Sequence, residues 1–174
     1  MERRTLLKLG LAGGLALAAG AGLVALVKPG RQAGRLTAAG RAFYGAVARG
    51  VLGPLIPADP AAARPVLDAH LQRLEQAIAG MPPGVQAEID ELTTLACSAP
   101  GRLALIGLTV PWEDASPVQV EAALLALRHS SNALRQQVYQ ALRELTNAAF
   151  FADTGTWALM GYRGQRPVPN IPPA

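Results

Sequence analysis

The side chains able to do chemistry in this chain are few. They are two histidines, His70 and His129, one cysteine, Cys97, the pair Ser130-Ser131, and two adjacent acid pairs, Asp90-Glu91 and Glu113-Asp114. A hydrolytic triad needs a nucleophile within reach of an imidazole that a carboxylate orients. Ser130 and Ser131 follow His129 directly, and adjacent residues on a helix do not face each other. No Gly-x-Ser-x-Gly elbow occurs. A metal or haem would need a second ligand beside His70, and His129 is distant in sequence. A single cysteine allows neither an internal disulfide nor a thiolate metal site. Cys97 ends a predicted core helix with no cation near it in sequence, the setting of a structural thiol. His129 falls near a helix C-terminus, where the dipole favours a cation. Glu113-Asp114 precede a helix start, and both acid pairs read as solvated. These residues point to a non-enzyme with no catalytic residue, cofactor or metal of its own.

The elements that would hold them are helical from Arg35 to Tyr162. Thr37 can cap a helix over 38–52, with Phe43, Val47 and Val51 on one face, stopped by Gly53-Pro54. Asp59-Pro60 is an N-cap followed by proline in the first turn. Leu67, Leu71, Leu74 and Ile78 then form a one-sided stripe. After the break Gly80-Met81-Pro82-Pro83-Gly84, the residues Val85, Ile89, Leu92 and Ala96 repeat it. A short apolar piece runs from Leu103 to Leu108. Ser116-Pro117-Val118-Gln119 has the capping-box spacing, and its helix reaches about His129. Beyond Ser130-Ser131-Asn132, Leu134, Val138, Leu142, Leu145 and Ala149 make the longest stripe. No alternating strand pattern of useful length occurs. The expectation is an all-α bundle of five to seven helices.

Composition agrees with one folded domain. The chain has 174 residues, 51% hydrophobic and 16% charged, with a net charge of +4. That is too apolar for disorder. The basic residues are scattered, so no cationic face for nucleic acid is evident. The expected divisions are 1–34 as leader and linker, 35–162 as the helical domain, and 163–174 as a proline-rich tail. From Gly164 onward the tail has four prolines and no acid, which excludes helix and central strand.

Part of the basicity belongs to the leader. Arg3-Arg4, then Leu6, Leu7 and Lys8, precede 19 uncharged residues from Leu9 to Val27, of which five are Gly and six Ala. This resembles a twin-arginine export signal, whose form is two arginines, any residue, two hydrophobic residues and often lysine. Its mild hydrophobicity suits a receptor-read signal better than a dedicated membrane helix. As a helix the run would reach about 28 Å, enough to anchor the chain in the inner membrane. The body is therefore expected in the periplasm, with the twin-arginine translocon as a partner. That route carries proteins already folded, commonly around a cofactor. On a body with no cofactor motif, such a signal serves best a second, cofactor-bearing chain that lacks its own.

Five of the eight aromatic residues lie in two segments between or after helices. Trp112 is in one; Phe150, Phe151, Trp157 and Tyr162 are in the other. Aromatic residues are favoured interface anchors, so these five are the candidate partner-binding residues. The run from Phe150 to Gly164, with Phe150-Phe151, Thr156-Trp157 and Gly161-Tyr162, resembles the C-terminus of the gluconate 2-dehydrogenase subunit 3-like family. Arg163 and Gln165 stand where that family has proline. The resemblance implies a helical small subunit that escorts a flavin-dependent dehydrogenase of the GMC type through export and stays bound to it. FAD would lie in that partner, and a multihaem cytochrome is implied as a further subunit. A different expectation, from the helical body alone, is a stand-alone periplasmic or membrane-anchored protein that holds a small apolar ligand between its helices.

Overall fold

The computed structural model describes residues 29–162. The expected export signal, including Arg3, Arg4, Leu6, Leu7 and Lys8, and the proline-rich tail from residue 163 lie outside the described residues. The described body is an all-α bundle of five long helices, α1 (Ala38–Leu52), α2 (Pro60–Ala79), α3 (Pro83–Cys97), α4 (Pro117–Arg128) and α5 (Ala133–Phe151). Short 3₁₀ turns at Gly53–Leu55 and Thr154–Met160, and a π-helical turn at Arg102–Ile106, join or end them. Among the described residues, no helix is long and apolar enough to cross a membrane.

Each long helix starts where a local signal demands it. Thr37 accepts from the Gly40 N–H, Asp59 from Ala62 and Asn132 from Leu134. Ser116 and Gln119 close a full capping box. These bonds satisfy backbone donors that the first turn leaves without partners. Helix α3 begins inside the expected break, because Pro83 suits a first helical turn and Pro82 takes the extended conformation before it.

Helix α1 lies in the middle. Gly40, Phe43, Tyr44, Gly45, Ala46, Val47, Ala48 and Leu52 are all buried, and α2, α3, α4 and α5 all pack against it. The main core joins Phe43, Val47, Leu74, Ile78, Leu127 and Leu142; a smaller one gathers Leu52, Ile56, Ala63, Leu67 and Phe150. Two stripe positions depart from expectation. Val85 is 38% and Leu134 38% exposed, and both fall in the first turns of their helices.

Residues 29–34, expected to be linker, belong to the folded body. Arg31–Gln32 and Arg35–Leu36 pair antiparallel, with Arg31 opposite Leu36. Ala33 and Gly34 both take positive φ, +50° and +78°, as a two-residue hairpin turn requires. A strand this short leaves no alternation to read. Buried Arg31, its side chain 1% exposed, closes onto Asp90 of α3, so Asp90 is paired and not simply solvated. The Leu36 N–H donates to Glu75 of α2 at 2.8 Å. Gly30 is wedged between α1 and α3: a Cβ on Gly30 would meet Thr93, and a Cβ on Gly40 would meet the Gly30 carbonyl.

Two α1 glycines therefore predict opposite outcomes. At Gly45 an added Cβ meets nothing within 4 Å, so Gly45→Ala should stabilise by about 1 kcal/mol through helix propensity. Gly40→Ala should cost about 2 kcal/mol, since backbone must shift to admit the methyl. Urea unfolding of the two variants beside wild type checks both signs.

Candidate functional site

The C-terminal aromatic segment is built on the end of α5. Helix α5 stops after Phe151, and Asp153 caps the turn Thr154–Met160 by accepting from the Gly155 N–H at 2.9 Å. The Thr156 hydroxyl lies 2.7 Å from the Asp153 carbonyl and 3.2 Å from that of Phe150. The Trp157 indole N–H donates to the Phe151 carbonyl at 2.8 Å. Thr156 and Trp157 thus satisfy carbonyls that the end of α5 leaves open. Gly161 takes φ +77°, a left-handed conformation that glycine adopts without strain. That turn brings Tyr162 back onto Trp157, with ring centroids 5.4 Å apart.

A side chain from α2 fastens this assembly to the bundle. Arg73 donates from Nε to the Ala149 carbonyl at 2.9 Å and from a terminal nitrogen to Asp153 at 3.2 Å. One guanidinium fork therefore holds both the last turn of α5 and the cap of the turn that follows. Sequence reasoning missed Arg73; it lies 80 residues from Asp153, and nothing local marks it. Leu159, Met160 and Tyr162 emerge from this support 57%, 53% and 47% exposed. Leu159 and Met160 were not among the expected anchors, although their large exposed apolar surface is the strongest in the segment.

The five expected partner-binding aromatics divide. Trp112 is 4% exposed; its indole N–H donates to the Ala96 carbonyl at 2.8 Å, and its ring lies 4.9 Å from that of Phe43. Phe150 is 1% exposed and belongs to the smaller core. Both are corrected to core residues, because burial leaves them too little surface to anchor a partner protein. Phe151 is half-buried, edge-on to Phe150 at 5.2 Å. Trp157, also half-buried, and exposed Tyr162 remain at the surface.

The other reactive side chains are dispersed. Cys97 is partly buried, and burial pushes its thiol up to about 11, against an opposing influence from nearby Arg102. Burial likewise raises Tyr44 to about 12. Its hydroxyl donates to Thr93 at 2.7 Å, because the Thr93 hydroxyl itself donates to the Ile89 carbonyl at 2.6 Å. Glu113, Asp114 and His129 are exposed. Among the described residues, no group of three or more His, Cys, Asp or Glu side chains is placed to hold a metal ion.

His70 is fully buried, 6.3 Å ring to ring from Phe150, with neither ring nitrogen hydrogen-bonded. Desolvation lowers it to about 4, with Arg73 adding to the same direction. Comparison with family models, with curated proteins and with solved structures finds no match to this chain.

The buried imidazole makes a pH-dependent prediction. Between the ordinary value of about 6.5 and the folded value, the unfolded chain binds a proton that the folded chain refuses, so stability drops as the pH is lowered. Relative to His70→Leu, wild type should lose about 3 kcal/mol between pH 7.5 and pH 4. Equilibrium unfolding of both proteins across that range measures the difference.

Proposed function

We propose that this chain is a non-catalytic accessory subunit, which escorts a folded flavin-dependent dehydrogenase through twin-arginine export and remains bound to it. The observation that carries the reading is the C-terminal turn, an ordered platform from which Leu159, Met160 and Tyr162 project into solvent. Large apolar side chains held rigidly at a surface lose little entropy on binding and desolvate favourably. The arginine fork of Arg73 and the Trp157 indole hold them in place. A second apolar strip, Val118, Ala122 and Leu125, runs along the outer face of α4.

In this reading the division of labour is simple. The leader pattern at Arg3-Arg4 supplies the export address that the partner lacks. The partner supplies FAD and the chemistry, with a multihaem cytochrome as a further subunit. The bundle provides a stiff base for the docking platform.

Affinity capture from native periplasm and membrane tests the proposal. A leaderless flavoprotein should co-elute with wild type and absorb as bound flavin. Arg3→Lys/Arg4→Lys should strand that flavoprotein in the cytoplasm. Leu159→Glu/Met160→Glu should retain at least about tenfold less of it, from loss of ~1 kcal/mol or more at each contact, with the unfolding midpoint unchanged. Recovery of the chain alone and colourless would end the escort reading.

A further inference from the structure

A cleft of about 420 Å³ opens between α1, α2 and the segment from Trp112 to Val120. Its volume falls in the range of small-molecule sites. Helix α1 presents Ala42, Gly45, Ala46 and Arg49 to it, and α2 presents Arg64, Leu67, Asp68 and Leu71. Both sets follow the three-four-seven spacing of a single helix face. Between Arg41 and Arg49 the α1 face carries nothing larger than a methyl group. At Gly45, in the floor, an added Cβ would meet no atom within 4 Å. The space thus exists because α1 lacks side chains there.

The charges on the cleft are uneven. At one end Arg41 donates to Asp68 at 2.6 Å, linking α1 to α2. At the other end stand Arg49, in the last turn of α1, and Arg64, in the second turn of α2. The two helices are joined through residues 53–59, and both arginines are exposed along the cleft. Among the described residues neither Arg49 nor Arg64 is paired with a carboxylate. Glu113, on the third wall, forms no ion pair with either. Two cations without carboxylate partners on one cleft favour an anion there, and a charge-assisted bond to guanidinium is stronger than a neutral one.

We propose that this cleft binds a small organic carboxylate, its charge held by Arg49 and Arg64 and its apolar body laid over Gly45 and Ala46 against Leu67. This goes beyond the escort reading and does not depend on it. The site is also distinct from the C-terminal platform, with which it shares no residue.

The test uses the full chain, titrated with benzoate, benzamide and inorganic phosphate. The indole N–H resonance of Trp112, which lines the cleft, reports occupancy; that of Trp157 is the reference. Benzoate should shift the Trp112 resonance saturably, with half-saturation below about 1 mM. Benzamide, which lacks the charge, and phosphate, which lacks the apolar body, should each bind about tenfold more weakly. Arg49→Gln/Arg64→Gln should bring benzoate to the level of benzamide, whereas Arg128→Gln, outside the cleft, should change nothing. Gly45→Leu should fill the floor and abolish benzoate binding while its unfolding midpoint holds. The proposal is overturned by no saturable shift, by benzamide or phosphate matching benzoate, or by a folded Gly45→Leu protein that binds as wild type does.

Discussion

The burial of α1 is the constraint on which the rest of this structure depends. A helix apolar on most of its circumference cannot lie at a surface, so it must be covered on several sides at once. Phe43 and Val47 belong to one face and the main core, Ala48 and Leu52 to another face and the smaller core, and α2 through α5 all pack against the helix. Its glycines and alanines set how closely the neighbours approach. Gly40 admits the Gly30 carbonyl, and Gly50 lies against Leu124 and Val120 of α4. Where no side chain stands within reach of a missing Cβ, at Gly45, the same economy of side chains produces a cleft.

Polar groups drawn into this core are handled in different ways. Tyr44 donates a hydrogen bond to Thr93, which donates its own to a helix carbonyl, so that chain is closed. Arg31 enters almost completely but finds Asp90 at the boundary with solvent. A half-exposed carboxylate partner moderates the cost of desolvating the guanidinium. His70 finds no partner and is held neutral between apolar neighbours. It costs stability on acidification but leaves no charge inside the bundle at neutral pH.

The C-terminal segment shows how one motif serves two ends. Thr156, Trp157 and Gly161 act inward, closing helix α5 and turning the chain. Leu159, Met160 and Tyr162 act outward. Rigidity and exposure are ordinarily opposed at the end of a domain, where chains fray. Arg73 reconciles them by reaching from α2 to both Ala149 and Asp153. The exposed apolar surface thereby inherits the stability of the bundle.

Much of the secondary structure was legible in the sequence because its signals are local. Thr37, Asp59, Ser116 and Asn132 act on N–H groups two or three residues away. Gly53-Pro54 stops a helix by backbone geometry alone. The stripes from Leu67 to Ile78 and from Val138 to Ala149 announce their buried faces by spacing. What the sequence could not decide is which aromatic is core and which is surface. Trp112 and Trp157 look alike in their loops, and both indoles donate to backbone carbonyls. Only Trp112 has Phe43 from a distant helix against its ring. The Arg31–Asp90 pair, the Arg73 fork and the cleft over Gly45 likewise come from contacts across 59 residues, 80 residues or whole helices. The physical reason is that a hydrogen-bonded turn is settled by dihedral angles within a few residues. Burial depends on what other elements bring to the same place, and only the assembled chain supplies that.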